Sequence, residues 1–330
     1  MESLSAAGPG KKRLAVFLDG TWNSVSDNTN VWRLRALCST KDTGNPAQLA
    51  YYDIGVNGVI GGAFGKGLLR NILDAYEWLV ENYNDGDDIF VFGFSRGAFT
   101  ARSLTGFIWD TVGALGIPAF SWEGISRTSF RFLDTGLRVP IENAFHALAL
   151  DEHRNSFMPT LWTKRIPTDP QAVIAPPRPY SSVEQRWFAG AHGNVGGGYP
   201  NDLLAQAPLS WIIEKARSHG LAFRSDIEVD DGALDAPISD SYREFMRGSY
   251  AILSKRHLRP IASPPGRDPD ATYINVNETI DGSVFERYRH SSSYRPANLV
   301  EWSTRKGVDL DAVMGWVDAE QPGKAVGEIH

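Results

Sequence analysis

The chain has 330 residues, 42% hydrophobic and 22% charged, and its 33 Lys and Arg against 39 Asp and Glu leave a formal net charge of −6. That usage is globular, and a chain of this length buries roughly three quarters of its unfolded surface, so a disordered chain and a small stapled scaffold are both excluded. The single cysteine, Cys38, permits neither an intramolecular disulfide nor a multi-cysteine zinc site, the acidic balance argues against a nucleic-acid partner, and no run of about 18 apolar residues is present to span a membrane.

Residues 1–12 are small and polar, without the apolar core of a secretory signal, and read as a disordered tail of a cytoplasmic protein. Leu14 to Leu18 is a continuous apolar run ending in Asp19-Gly20-Thr21, the pattern of a strand buried on both faces and followed by a turn. Asn30 reads as the N-cap of a short helix over Val31 to Leu37, and Gln48 to Ile54 as a second strand. After the glycine-rich stretch Gly55 to Gly67, apolar residues at helical spacing predict a helix over Leu68 to Tyr83. Ile89 to Phe94 is the strongest strand pattern in the chain, Arg96 to Thr105 a helix of small residues, and Leu104 to Trp109 the start of another strand. Beyond Asp110 the spacing predicts a helix over Glu142 to Leu150, a proline-rich surface connection from Thr168 to Pro179, and a strand over Val183 to Phe188. It then predicts helices over Asp202 to His219, interrupted at Pro208, and over Asp240 to Leu253. Strands alternating with helices through short connections indicate βαβ units and a parallel sheet.

Gly93-Phe94-Ser95-Arg96-Gly97 matches G-x-S-x-G directly between the best strand and a helix, the setting of a nucleophile elbow. The glycines have a steric reason, because a serine on so tight a turn needs neighbours without side chains. Ser95 is then the candidate nucleophile, and the Arg96 N–H at the helix start would face a developing oxyanion. The bland alternative is a serine N-cap on a glycine-bracketed strand end.

An elbow serine needs a histidine base, and all seven histidines follow Ser95. His192 stands out, because a predicted strand feeds it into a segment with five glycines between Gly190 and Gly198, which lets the backbone approach another element and aims the imidazole. His290, in a polar run, is the reserve candidate. His146 falls within a predicted helix, His219 at a helix C-terminus, and His330 at the chain end. For the acid, Asp110 closes the strand after the elbow helix, and neighbouring strand ends lie about 5 Å apart, within reach of an imidazole above Ser95. Asp151, at the end of the helix predicted over Glu142 to Leu150, is its competitor. The loop Asp19-Gly20-Thr21 supplies Gly20 or Thr21 as second oxyanion donor, with Asp19 as an accessory group that orients the loop or meets substrate.

Two other motifs fail on inspection. A haloacid-dehalogenase-type D-x-D-G-T would need aspartate at Phe17, and a phosphate-binding G-x-x-x-x-G-K-[ST] would need glycine at Ile60 and Ser or Thr at Gly67.

Taken together, the segments Phe17 to Asn23, Asn30-Val31, Tyr52 to Val56, Gly93 to Ala98, Trp109 to Gly113, His146 to Glu152, His192 to Tyr199 and Tyr294 to Leu299 resemble the catalytic domain of the type VI secretion phospholipase effectors of the first family. The resemblance runs over about residues 13 to 300. It implies an α/β-hydrolase fold, a mostly parallel sheet flanked by helices with a helical cap, and a Ser95–Asp110–His192 triad needing no metal or organic cofactor. It also implies phospholipid acyl esters as substrates, reached by transient contact with a membrane surface and by export that needs no cleavable signal. The family commonly reads His-Ser-Asp where this chain has His192-Gly193-Asn194, so Asn194 is expected to weaken a loop-orienting hydrogen bond or a cation contact rather than to remove the triad. The expectation is one α/β-hydrolase domain over residues 13–330, with cap-like insertions after 113 and after 199 and no room for a separate membrane-engaging module. It acts as an esterase or lipase, with a phospholipase and a silent hydrolase-fold binding module as alternatives. For the stretch around Leu203, Leu204, Leu209, Trp211 and Ile212, an acyl-binding cap and an ordinary core helix remain equal readings.

Overall fold

The structure is a computed structural model that describes residues 11–20, 23, 25–40, 47–55, 63–104, 107–109, 141–172, 174, 176–200, 202–244, 249–263 and 267–323. The expected insertion after 113 and His330 lie outside these residues, as do Thr21 and Asp110.

The first strand, β1 (Arg13–Leu18), sets the layer plan. Its side chains alternate between two cores: Ala15 and Phe17 enter one, and Leu14, Val16 and Leu18 the other. A strand buried on both faces is what its unbroken apolar run requires. β1 pairs in parallel with β2 (Gln48–Asp53) on one side and β3 (Asp88–Phe94) on the other, with Phe17 opposite Phe92 and their rings stacked 5.0 Å apart. The sheet continues in parallel through β4 (Phe107–Trp109), β5 (Ala144–Ala149), β7 (Val183–Phe188) and β10 (Glu278–Ile280), and ends on the antiparallel β11 (Val317–Asp318). The strand order is therefore 2-1-3-4-5-7-10-11. A separate antiparallel sheet orders β6 (Thr163–Pro167), β9 (Ala271–Asn275) and β8 (Arg267–Asp268).

Helices cover both faces. α1 (Asn30–Leu37) and α5 (Gln206–Ser218) close the core that holds Phe17, while α2 (Ala63–Asn82) and α3 (Arg96–Leu104) lie over the core that holds Val16. α8 (Gly282–His290) and α9 (Ala297–Lys306) bury Phe285 and Trp302 against Trp187 and Ile280 farther along the sheet. The chain leaves β1 towards β2 and returns to β3 on the opposite side, so the strand order reverses at the β1–β3 pair. In open α/β sheets the crevice at the carboxyl ends of such a pair is where ligands bind. This is an α/β-hydrolase arrangement, a mostly parallel sheet flanked by helices. Among the described residues no helix is long and apolar enough to cross a membrane.

Several predicted elements change. The helix expected over Glu142 to Leu150 is the strand β5, with all six residues buried; its alanines and leucines favour a helix locally, but a central strand covered on both faces selects the same apolar run. The N-cap of α1 is Thr29 rather than Asn30, its hydroxyl accepting the Trp32 N–H at 3.2 Å. α2 begins before Leu68. Pro208 does not interrupt α5, because it sits in the first turn, where a helix N–H has no intrahelical acceptor. Between the two readings of that helix the core one holds, since Leu209, Trp211 and Ile212 are buried beneath it. Within the helix expected over Asp240 to Leu253, the described residues form α6 (Ser241–Glu244) and α7 (Ser249–Leu253).

Candidate active site

Ser95 follows the last residue of β3 and precedes the first of α3, with φ at +55°, in the left-handed region that L-residues avoid. The packing that imposes this turn also explains its glycines. A Cβ on Gly97 would lie 2.1 Å from the Leu18 carbonyl oxygen, and one on Gly93 would lie 2.4 Å from the Gly97 oxygen. The elbow is thus pressed against the end of β1 with only backbone between them. Ser95 is buried but not sealed, at 9% exposure. The Arg96 N–H belongs to the first residue of α3, where the helix presents donors and a partial positive charge. Burial lowers the Arg96 guanidinium to about 10.

The β1 loop stands beside the serine. A Cβ on Gly20 would lie 3.4 Å from Ser95 Cβ. Asp19, 1% exposed, accepts the Gly20 N–H at 2.8 Å, the Thr29 hydroxyl at 2.6 Å and the Tyr52 hydroxyl at 2.8 Å. Burial raises its carboxyl to about 6 against these three hydrogen bonds. The Gly20 N–H, an expected oxyanion donor, is engaged by the preceding carboxylate. An ionised, buried carboxylate takes the nearest donor, and the adjacent N–H is that donor.

His192 opens α4 (His192–Gly196), so the expected glycine loop is a short helix at this point. The imidazole packs against Phe94, the residue before Ser95, with ring centroids 4.6 Å apart, and edge-on against Phe157 at 5.1 Å. Phe94 reaches this position because Gly196 lacks a side chain; a Cβ there would lie 1.9 Å from its ring. The structure therefore brings the His192 segment onto the end of β3. Thr29 forms an isolated antiparallel bridge to Gly197, and Asn30 donates to the Val195 and Ala205 carbonyls at 3.0 and 2.8 Å. The β1 loop, the elbow and the histidine helix are thereby one connected unit.

Asn194 caps the start of α4. Its side-chain oxygen accepts the Ala191 and Ser239 N–H groups, both at 3.1 Å, and its amide donates to Asp202 at 3.1 Å. Burial raises Asp202 to about 6. Asp151 follows β5, not a helix, and is buried beneath the same turn. Its carboxylate accepts the Gly190 N–H at 2.7 Å and the Tyr294 hydroxyl at 3.1 Å, and burial raises it above the ordinary range. Asp151 therefore braces the turn that leads to His192.

Three of the other histidines have separate surroundings. His146 is fully buried in β5 with its ring edge to Trp162, His219 caps the end of α5 with Nε2 3.0 Å from the Ser181 carbonyl, and His290 faces Asp235 at 3.0 Å on the surface. Sequence reasoning passed over Glu152 as a site residue. It is fully buried and meets the His192 backbone N–H at 3.2 Å. Its adjacency to Asp151 within the segment His146 to Glu152 was the local signal for it.

Residues 12–108 and 106–215 match the family described as T6SS phospholipase effector Tle1-like, catalytic domain. The uncharacterized protein YEL023C of Saccharomyces cerevisiae is 31% identical over 126 residues, 32% of this chain and 18% of the yeast protein. Two solved structures are similar at lower identity. The Tle1 effector bound to the VgrG spike of the type 6 secretion system has 18% identity and a TM-score of 0.40, over 58% of this chain and 52% of that one. An uncharacterized protein from Pseudomonas aeruginosa has 17% identity and a TM-score of 0.44, over 76% and 52%. The matched region is thus about half of each solved relative and under a fifth of the yeast protein. Because the family match spans more than half of the sequence and contains Ser95 and His192, the chain belongs to the Tle1-like catalytic-domain family.

Proposed function

We propose that this chain is a serine hydrolase of carboxylic esters, with lipid esters, phospholipids included, as its substrate class. The observation that carries this reading is Ser95 held at φ +55° on a strand-to-helix turn, with the His192 ring packed on the adjacent Phe94. A strained serine of this kind persists where the surrounding packing over-determines it, and such strain gathers at functional sites.

In this mechanism Ser95 Oγ attacks the acyl carbon while His192 takes its proton. His192 then returns the proton to the leaving alcohol, and water hydrolyses the acyl-enzyme by the same steps in reverse roles. Asp110 holds the imidazole tautomer. The N–H groups of Arg96 and Thr21 receive the oxyanion charge, since Gly20 is engaged by Asp19. The chemistry calls on side chains and backbone alone. Membership of a phospholipase effector family supports the lipid substrate and delivery to a membrane surface by a secretion apparatus.

The test is covalent labelling by a fluorophosphonate. Labelling of the full chain that is abolished by Ser95→Ala supports the reading, and a folded protein that does not label overturns it. Turnover of phosphatidylcholine vesicles against short p-nitrophenyl esters separates the phospholipase from a simple esterase.

A further inference from the structure

Glu152 lies at the junction of three segments, those of Arg154, His192 and Ser241. Its carboxylate accepts the Arg154 N–H at 2.8 Å, Arg154 Nε at 2.9 Å and Arg154 Nη2 at 2.8 Å, the Ser241 hydroxyl at 2.9 Å, and the His192 N–H at 3.2 Å. Its side chain is 0% exposed and that of Arg154 6%. The two-pronged guanidinium contact fixes the carboxylate plane. The Arg154 guanidinium also lies 3.5 Å from the centroid of Phe157, whose ring meets His192 edge-on. One ion pair therefore touches the histidine twice, through its backbone and through the aromatic wall beside its ring.

We infer that Glu152 is a positioning residue of the hydrolase site: it anchors the first residue of the histidine helix and its negative charge supports the imidazolium that forms when Ser95 Oγ bonds to the acyl carbon and gives up its proton. The inference rests on the serine-hydrolase reading. Burial pushes the Glu152 carboxyl up, but the Arg154 hydrogen bonds and charge, then the charges of Arg259 and His192, outweigh it and hold it at about 2. Such coupling is reciprocal, so the charge that His192 stabilises also stabilises a charged His192. Among the other titratable groups near the histidine, Tyr199 packs against Gly193 and burial raises its hydroxyl to about 12, so it stays neutral. Asp151 holds the Gly190 turn, Asp202 is bound to Asn194, and Arg259 donates to the Ala149 carbonyl at 2.6 Å. Asp110 acts on the ring in the proposed mechanism. Glu152 thus adds a second carboxylate with a different task, from the segment that follows β5.

The test compares the pH dependence of kcat/KM on a p-nitrophenyl ester in the full chain and two variants. Glu152→Gln keeps shape but removes the charge. It is expected to lower kcat about tenfold with KM within about twofold, and to move the acid limb of the profile to lower pH by about half a unit or more, because imidazolium loses support. Ser241→Ala removes one donor from the same carboxylate and leaves its charge less compensated, so its acid limb is expected to move to higher pH. It also serves if Glu152→Gln does not fold. Opposite displacements support the inference, since a residue that only held the loop would move neither limb. Unmoved limbs in an enzyme whose Ser95 labels normally overturn this inference alone. A wild type without Ser95-dependent labelling overturns the hydrolase reading and this inference together.

Discussion

The Asp19 carboxylate accepts the Gly20 N–H at 2.8 Å beside Ser95, so the loop after β1 is held by an internal hydrogen bond as well as by its contact with the elbow. Burial places this carboxyl at about 6 in the folded protein, against an ordinary value of 3.8. The folded state therefore holds the proton more tightly than the unfolded chain. Stability linked to Asp19 is complete below about pH 4, declines as pH rises between about 4 and 6, and is lost above that, a difference of roughly 3 kcal/mol. Asp19→Asn keeps an acceptor for Gly20 and cannot titrate. Urea unfolding across this range is expected to show the variant gaining on wild type as pH rises; parallel curves would sink the assignment.

Ser95 occupies a backbone conformation that costs an L-residue about 1–2 kcal/mol and a glycine little. Replacing it with glycine, Ser95→Gly, is expected to raise the unfolding free energy by about 1 kcal/mol while eliminating fluorophosphonate labelling. Denaturant melts of the two proteins decide it: a less stable variant would mean that the hydroxyl, and not the turn, dominates at this position.

The contact between the elbow and β1 leaves no space for a side chain. A Cβ on Gly97 would meet the Leu18 and Asp19 carbonyl oxygens at 2.1 and 2.4 Å, both backbone atoms of the sheet. Gly97→Ala is expected to destabilise by about 3 kcal/mol or more. Gly315→Ala, where nothing lies within 4 Å, is expected to change stability by less than about 0.5 kcal/mol. Equal melting curves for the two variants would contradict the packing described.

Asn194 donates to Asp202 at 3.1 Å. Asn194→Asp replaces that donor with a second carboxylate beside one that already stands at about 6. Like charges at this distance resist joint ionisation and raise the carboxyl pKa further. The folded state then binds a proton that the unfolded chain releases, so the penalty grows as pH rises, to about 2 kcal/mol above pH 7. Thermal melts at pH 5 and pH 8 should show the variant's deficit widening; a deficit independent of pH would exclude this cause.

The first half of the sheet and the position of the elbow can be read from local signals. β1, β3 and the helix after Ser95 were legible because their signals are local: an unbroken apolar run, a helical period, and glycines where backbone meets backbone. The segment around His192 was legible only in part, since its glycine density reads as a loop where the structure has the short helix α4. Long-range packing settled that Ala144–Ala149 is a strand, because burial on both faces depends on neighbours that the segment does not contain. It also decided that Pro208 lies harmlessly in a first turn and that the Gly20 N–H is taken by Asp19. The short strands β8, β10 and β11 have too few residues for a period to declare itself. Glu152 and His192 meet across 40 residues, and Thr29 and Gly197 across a greater distance in sequence. Such contacts follow from the order in which strands are laid side by side, which local spacing does not record.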